Sequence, residues 1–124
     1  MRVLYVDDDR INTLLFEETC RCAGDFEVAC ASTGAEALEI AAEFPAEALV
    51  IDLHLPDTNG FQLLPALRRL LGDERLPAFL CTADEPSQVA AQATAAGFDG
   101  CWTKPVTVEA ILAELQRSGR GTAA

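Results

Sequence analysis

Five short strand-like runs, each followed by a segment with helical spacing, constrain the fold of this chain more than any other feature. The runs cover residues 2–6, 26–30, 48–51, 77–81 and 99–103. Helices are predicted from Arg10 to about Ala23, Thr33 to about Phe44, Asn59 or Gly60 to Gly72, Asp84 to Gly97, and from Thr107 onward. Strict alternation of strands and helices predicts right-handed crossovers and a parallel sheet with helices on both faces.

The compact arrangement for 124 residues is a flavodoxin-like, doubly wound α/β domain with five parallel strands and five helices. Its strand order is predicted as 2-1-3-4-5, which places strands 1 and 3 side by side. We expect one domain over residues 1–118. Residues 119–124 are small and polar and are predicted to form a flexible tail or linker remnant.

Local signals mark most of the helix ends. An aspartate precedes the first helix and Gly24 follows it, and Thr33 with Glu36 forms a capping box before the second helix. Apolar residues at Ile11, Leu14 and Leu15 give the first helix its helical spacing. The cap positions of the last two helices are Asp84 and Thr107.

Charge and composition exclude several classes of function. The net charge of −11 disfavours direct binding to nucleic acid, because the phosphate backbone would be repelled. No apolar run approaches the roughly 20 residues of a membrane span, and no signal segment is present, so a cytoplasmic location is expected. The five cysteines lack zinc-site spacing and are interpreted as reduced structural residues.

Carboxylates follow the first and third strands. The apolar strand 48–51 ends on Asp52, and the first strand ends on Asp7 and Asp8. If strands 1 and 3 are neighbours, these three side chains meet at the carboxyl edge of the sheet. Three carboxylates within about 5 Å repel each other by several kcal/mol at an effective dielectric of about 20. A hard divalent cation with oxygen ligands balances this charge, and Mg²⁺ fits best.

Two further polar residues are predicted at the same edge. Thr82 ends the fourth strand, and Lys104, the only lysine in the chain, follows the fifth. Alone, each of these residues has an ordinary interpretation as a cap, a strand residue or a turn. Together they suit attack of a carboxylate on a phosphoryl group, with a cation, an ammonium and a hydroxyl on the phosphoryl oxygens.

These residues lie in motifs that resemble the receiver domain of two-component response regulators. The matching stretches are Tyr5–Asp9 (YVDDD), Leu49–Gly60 (LVIDLHLPDTNG), Thr82–Ala83, and Ala96–Gly100 (AGFDG) running on to Lys104–Pro105. The resemblance covers the whole chain apart from its last few residues.

The resemblance implies a site and a reaction. Asp52 is expected to accept a phosphoryl group from a histidine kinase or a histidine phosphotransfer protein. Asp7 and Asp8 are expected to hold Mg²⁺, with Asp52 and the backbone carbonyl of His54 as further ligands. Thr82 and Lys104 are expected to contact the phosphoryl oxygens. The domain is then a signalling domain that catalyses only its own phosphorylation and dephosphorylation, rather than an enzyme.

One position departs from the family pattern. The residue three before the strand-5 lysine is usually Tyr or Phe, but here it is Cys101, and the aromatic Trp102 comes one residue later. Strand alternation puts Trp102 on the opposite face, so the usual aromatic movement on phosphorylation is expected to be absent or replaced. The His54 side chain either faces solvent or leans over the phosphoryl site.

Alternatives from other classes stay open at this point. A haloacid-dehalogenase-type phosphatase would use Asp7 in a D-x-D motif, although the chain is short for that fold and Asp52 would have no function. A receiver-like interaction module that is never phosphorylated is the third alternative. No effector segment is recognisable, so the output is an unknown protein target, reached by a stand-alone regulator or from within a larger protein such as a hybrid kinase.

Overall fold

The computed structural model describes residues 1–24, 26–73, 75–83, 86–103, 109–111 and 113–115. Its elements are β1 (Arg2–Val6), α1 (Arg10–Ala23), β2 (Glu27–Ala31), α2 (Gly34–Ala41), β3 (Ala48–Asp52), α3 (Gly60–Leu71), β4 (Ala78–Thr82), α4 (Pro86–Ala96) and β5 (Gly100–Thr103). Residues 109–111 and 113–115 are also helical and belong to the fifth predicted helix. The predicted caps Asp84 and Thr107 and the proposed domain boundary at residue 118 lie outside the described residues.

The five strands form one parallel sheet in the order β2-β1-β3-β4-β5, which confirms the predicted topology. In the register, Val6 pairs with Ile51, Asp52 with Cys81, and Thr82 with Thr103. All four pairings are parallel, so the carboxyl ends of the strands share one edge. In the described part of the chain, none of the helices combines the length and the hydrophobicity that a membrane span requires.

Both faces of the sheet are covered by apolar side chains. On one face, strand residues such as Leu49 and Ile51 pack against α2, α3 and α4, and Leu64 and Leu67 of α3 are fully buried there. On the other face, Phe16 of α1 packs near Leu115 of the C-terminal helical segment. Full burial of one such side chain contributes about 1.5–3 kcal/mol, so the helices are held mainly by these contacts.

The buried face of α1 is not the one marked by its large aliphatic residues. Thr13, Phe16 and Cys20 are buried, whereas the three residues that suggested the helix are exposed. Their exposed fractions are 69% for Ile11, 49% for Leu14 and 55% for Leu15. The helix itself was predicted with the bounds that it has, but its three large aliphatic side chains point away from the sheet.

Most of the local signals act as expected. The N-cap Thr33 accepts a hydrogen bond from the backbone of Glu36, and the Glu36 carboxylate accepts one from the backbone of Ser32. Gly24 adopts a left-handed conformation after α1, with φ of 81°. The helix α2 ends at Ala41, three residues before the predicted Phe44, and the chain continues through a turn.

All five cysteines are free thiols. Cys20 and Cys81 are buried, Cys30 and Cys101 are half-buried, and Cys22 is exposed. Cys20 and Cys22 therefore point to different faces of α1, as predicted. Burial raises the pKa of the Cys20 thiol to about 11, so this side chain is neutral at pH 7 and packs as a small apolar group.

Candidate functional site

The carboxyl ends of β1 and β3 bring three aspartates together. Asp7 follows Val6, which pairs with Ile51, so Asp7 and Asp52 are neighbours across the two strands. Carboxylate oxygens of Asp7, Asp8 and Asp52 all lie within 4.8 Å of one another. Asp7 and Asp52 are buried, with 1% and 7% of their surface exposed, whereas Asp8 is open to solvent.

Three donors orient the Asp7 carboxylate. Its Oδ1 accepts a hydrogen bond from the backbone of Asp9 at 2.9 Å. Its Oδ2 accepts from the Tyr5 hydroxyl at 3.1 Å and from Asn12 Nδ2 at 3.2 Å. These donors compensate part of the cost of burying a charge, and they fix the direction of the carboxylate.

Tyr5 and Asn12 were not singled out in the sequence as members of the site. Tyr5 lies two residues before Asp7, so strand alternation already puts both side chains on one face. Burial, together with the nearby Asp7 charge, raises the pKa of the Tyr5 hydroxyl far above its usual value, so this group stays a proton donor. Stacking on Phe16, at 4.4 Å between ring centroids, holds the Tyr5 ring in place.

Asp52 is fixed by the chain that follows it. Its Oδ1 accepts a hydrogen bond from the backbone of His54 at 3.3 Å. The chain returns beside the strand at Gly60, whose backbone donates to the Leu53 carbonyl at 2.9 Å. A Cβ at Gly60 would lie 3.1 Å from the Asp52 carbonyl oxygen and 2.7 Å from Leu80, so any larger residue would displace this segment.

Thr82 is the last residue of β4, next to β3 in the sheet. It is fully buried and lies one residue beyond Cys81, the partner of Asp52 in the register. The register thus puts Thr82 at the same edge as Asp52. Lys104 follows Thr103 in the sequence and lies outside the described residues, so its predicted contact with a phosphoryl group stays a prediction.

The three carboxylates suit a hard divalent cation. At a separation of 4.8 Å, two carboxylates repel by about 3.5 kcal/mol at an effective dielectric of about 20, and by about 1 kcal/mol in water. Bound charge of the opposite sign relieves this repulsion. Oxygen ligands with one solvent-exposed carboxylate match the preference of Mg²⁺, which keeps several water ligands.

The loop between β3 and α3 also touches α2. Asp57 Oδ1 accepts a hydrogen bond from the backbone of Gly34 at 2.8 Å, and Oδ2 accepts one from Ala35 at 3.0 Å. The hydrogen bond from Gly34, followed by the one from Ala35, holds the pKa of the Asp57 carboxyl group below its usual value. The contact spans more than 20 residues of sequence, and no local pattern could have predicted it.

Cys101 and Trp102 lie on opposite faces of β5, as strand alternation predicts. Cys101 packs against the core on the side of α4, where the family usually has an aromatic residue. Trp102 stacks on Phe79 of β4 on the other side, with 4.8 Å between ring centroids and 11° between the ring planes. Trp102 therefore does not occupy the usual place of the missing aromatic side chain.

His54 is exposed to solvent, and its backbone pairs with Asn59 across the base of the loop. This exposure fits the interpretation in which the His54 side chain faces solvent. An effect of the imidazole on the lifetime of an aspartyl phosphate stays a prediction.

The sequence is similar to those of known proteins. A family model described as the response regulator receiver domain matches residues 3–116. The transcriptional regulatory protein KdpE of Mycobacterium tuberculosis is 37% identical over 120 residues, which are 95% of this chain and 50% of that protein. The chain thus spans about half the length of this curated relative.

Solved structures show the same fold. The chemotaxis protein CheY4 of Vibrio cholerae superposes with a TM-score of 0.85 at 29% identity, covering 94% of this chain and 96% of that one. A response regulator of Burkholderia pseudomallei, solved with a phosphorylated aspartic acid, a calcium ion and citrate, gives a TM-score of 0.79 at 27% identity. That match covers 95% of this chain and 72% of the other.

Proposed function

Because the chain belongs to the response regulator receiver domain family, we propose that it accepts a phosphoryl group on Asp52 in a two-component phosphorelay. The observation that carries the proposal is the meeting of Asp52 with Asp7 and Asp8, whose carboxylate oxygens lie within 4.8 Å of one another. A cluster of this kind collects a cation beside a carboxylate at a sheet edge, which is what transfer of a phosphoryl group to that carboxylate requires.

In the proposed reaction an Asp52 carboxylate oxygen attacks the phosphorus of a phosphohistidine. A P–O bond forms to Asp52, the P–N bond to the imidazole breaks, and the leaving ring nitrogen takes up a proton from water. The hydrogen bond from the His54 backbone to Asp52 Oδ1 directs the carboxylate. Positioning and charge balance supply most of the catalysis in reactions of this class.

Asp7, Asp8 and Asp52 are the proposed ligands of Mg²⁺, together with the backbone carbonyl of His54. When bound, the cation neutralises charge on the carboxylates and on the incoming phosphoryl oxygens. Asp7 is suited to this task because Tyr5 and Asn12 hold its carboxylate in one direction. In the Burkholderia pseudomallei relative a phosphorylated aspartic acid and a calcium ion occur together, which supports a metal beside the phosphoacceptor.

Thr82 and Lys104 are the proposed partners of the phosphoryl oxygens. A hydroxyl and an ammonium can both donate hydrogen bonds to an anionic phosphoryl group, and the ammonium also balances its charge. The position of Thr82 at the end of β4, beside β3, supports its part of the proposal. Without these donors the acyl phosphate would carry unpaired negative charge in a buried site.

The phosphodonor is proposed to dock on the exposed face of α1. Asn12 of this helix donates to Asp7, so the first turn borders the site. Ile11, Leu14 and Leu15 follow at helical spacing and are about half or more exposed. A protein that carries phosphohistidine must cover this edge to reach Asp52, and an apolar strip beside the edge offers it a surface. A histidine kinase or a histidine phosphotransfer protein is the proposed occupant.

The proposed output is a change of surface that an unknown protein target reads. New hydrogen bonds to a phosphoryl group can bias a two-state element elsewhere in a domain. Cys101 replaces the usual aromatic residue, so this bias is proposed to pass through the segment between β4 and α4 without the aromatic movement. Structures with and without a phosphoryl mimic test this directly: no shift in that segment contradicts it.

Phosphorylation with a small donor tests the main proposal. The chain is incubated with phosphoramidate and Mg²⁺, and the modified residue is mapped by peptide mass spectrometry after borohydride trapping. Label on Asp52, its loss in Asp52→Asn and its retention in Asp73→Asn are expected, because Asp73 lies away from the carboxylate cluster in the loop after α3. Absence of label at Asp52 with Mg²⁺ present contradicts the proposal.

The same map separates the alternatives. Label on Asp7 would support a phosphatase of the haloacid dehalogenase type, but Asp7 already accepts three hydrogen bonds, which makes it a poor nucleophile. Absence of label on every residue would support an interaction module that is not phosphorylated. Neither alternative gives a reason for a carboxylate cluster that includes Asp52.

A further inference from the structure

The segment between β3 and α3 forms a closed loop, residues 53–59. At its base, Gly60 donates to the Leu53 carbonyl at 2.9 Å, and His54 pairs with Asn59. At its tip, the backbone of Leu55 donates to the Thr58 carbonyl at 3.2 Å. Backbone hydrogen bonds thus connect the tip of the loop to its base, which lies next to Asp52 at the end of β3.

Asp57 connects the tip of this loop to α2. Gly34 and Ala35 are the first two residues of that helix, and their backbone N–H groups have no partner within the helix. Both donate to the Asp57 carboxylate, at 2.8 and 3.0 Å. We call this pair of hydrogen bonds the loop–helix bridge. A carboxylate between two N–H groups at a helix start is favoured by charge as well as by geometry.

The helix does not depend on Asp57 for its own cap. Thr33 already accepts the hydrogen bond of Glu36, and the Glu36 carboxylate accepts from the backbone of Ser32 at 2.8 Å. The loop–helix bridge therefore adds a contact between two segments that are distant in sequence. The bridge therefore acts on the position of the loop, because it ties the loop tip to the start of α2.

The surfaces that meet at the bridge also fit closely. A Cβ at Gly34 would lie 2.5 Å from Thr58 Cγ2 and 3.4 Å from Asp57 Oδ1. The Gly34 backbone is not in the left-handed region, so an alanine there is limited by space alone. With Thr58 at the loop tip, the absence of a side chain at Gly34 allows the loop to approach α2 to hydrogen-bond distance.

We propose that Asp57 is a positioning residue, which holds the loop 53–59 against α2 so that His54 presents its backbone to Asp52 and to the bound cation. The inference rests on the proposed function, because that function gives the His54 carbonyl and Asp52 their tasks. Asp57 touches neither reactant. It acts through the loop, whose base donates the His54 N–H to Asp52 Oδ1.

Four variants and the unaltered chain test the proposal. Asp57→Asn keeps the size of the side chain but replaces one acceptor oxygen by a donor group. Gly34→Ala pushes Thr58 away, and adding Thr58→Ser removes the methyl group that causes the clash. Glu36→Gln is the matched control, since it alters the cap of the same helix without touching the loop.

Two quantities are measured on each variant. The dissociation constant for Mg²⁺ is obtained by calorimetry, and the initial rate of phosphorylation by phosphoramidate is followed by intact mass. Loss of outer support for a metal ligand typically weakens binding about 10-fold or more. Asp57→Asn and Gly34→Ala are expected to show this loss with a matching fall in rate, and Thr58→Ser is expected to restore both in the Gly34→Ala background.

The control variant Glu36→Gln shows how much a change in the helix cap alone alters Mg²⁺ affinity and the phosphorylation rate. Glu36→Gln is expected to keep both quantities within about twofold of the unaltered chain, as exposed substitutions usually do. If Asp57→Asn lowers only the melting temperature and keeps Mg²⁺ affinity and rate within that range, the loop–helix bridge is only a helix cap and the inference is wrong.

The failure of the inference differs from the failure of the proposed function. If the unaltered chain takes no phosphate on Asp52, the proposed function is wrong, whatever the variants do. If it does take phosphate and Asp57→Asn behaves like the control, only the positioning by Asp57 is wrong. The backbone amide shift of His54, followed by NMR in each variant, reports movement of the loop independently of phosphorylation.

Discussion

At the residue scale, repulsion among the three carboxylates lowers the stability of the fold, while the same charges can bind a cation. Asp7, Asp8 and Asp52 lie close enough to repel each other, and two of them are buried. The donors around Asp7 reduce this repulsion but do not cancel its charge. Active sites are commonly places where such charge is kept for a ligand. The free energy of folding should therefore depend on whether a cation is bound.

The variant Asp8→Asn tests whether stability depends on a bound cation. Without Mg²⁺, the variant is expected to gain about 1 kcal/mol in the free energy of unfolding, because it loses the repulsion between Asp8 and the other two carboxylates. The gain is small because solvent screens the exposed Asp8. The unaltered chain is expected to gain about 2.7 kcal/mol when Mg²⁺ is present at about 100 times its dissociation constant, and the variant much less. Thermal unfolding with and without Mg²⁺ measures both effects.

Glu39→Gln removes the same charge from an exposed site on α2 and serves as the comparison. It should leave the response to Mg²⁺ unchanged. If Asp8→Asn and Glu39→Gln respond equally to Mg²⁺, the three carboxylates do not form the cation site.

At the element scale, α1 both packs on the sheet and reaches the carboxylate cluster. Its buried side, with Phe16 and Cys20, packs on the sheet, and its first turn contributes Asn12 to the site. Ile11, Leu14 and Leu15 are exposed and border the edge where the proposed phosphodonor would bind. The helix is therefore both a part of the core and a candidate docking surface.

Replacing Leu14 and Leu15 by alanine is expected to slow transfer from a protein donor. Alanine truncation costs more than about 1 kcal/mol mainly at residues near the centre of an interface, which is the place proposed for Leu14 and Leu15. The measurement compares phosphoryl transfer from an autophosphorylated histidine kinase that serves the unaltered chain with phosphorylation by phosphoramidate. Only the first rate should fall, since phosphoramidate needs no docking surface.

Leu70→Ala is the matched control, because Leu70 is 47% exposed on α3. It should change neither rate. Equal losses with the protein donor and with phosphoramidate would show that the α1 residues act on the site itself, which contradicts a docking surface.

The sequence predicted the elements better than their faces. Strand bounds followed from apolar runs and polar ends, and Asp7, Asp8 and Asp52 were expected together because parallel strands end at one edge. The exposed side of α1 was not predicted, since helical spacing does not say which of two apolar sides meets the sheet. The loop–helix bridge was not predicted either, because Asp57 and Gly34 meet only in the folded chain.

At the scale of the whole molecule, ionisation of the buried Cys20 thiol is expected to lower the stability of the fold in alkali. Cys20 is 1% exposed, and burial raises its pKa to about 11, against about 9 for an exposed thiol. The unfolded chain loses this proton first as the pH rises. The contribution of the neutral thiol is therefore complete below pH 9 and is lost as the pH rises towards 11.

The unaltered chain is expected to lose about 1 kcal/mol more stability between pH 8 and pH 10 than Cys20→Ala does. Denaturant unfolding at the two pH values provides the measurement. Cys22→Ala changes an exposed thiol and is the control. If all three proteins lose stability equally over this range, ionisation of Cys20 does not contribute.

The stacking of Trp102 on Phe79 has a practical consequence. Trp102 is the only tryptophan in the chain, and its ring lies flat against a residue of the neighbouring strand. Its ultraviolet emission is therefore a single-site signal from the contact between β4 and β5. The strands that carry Thr82 and precede Lys104 can thus be watched in real time by stopped-flow fluorimetry, with no dye attached.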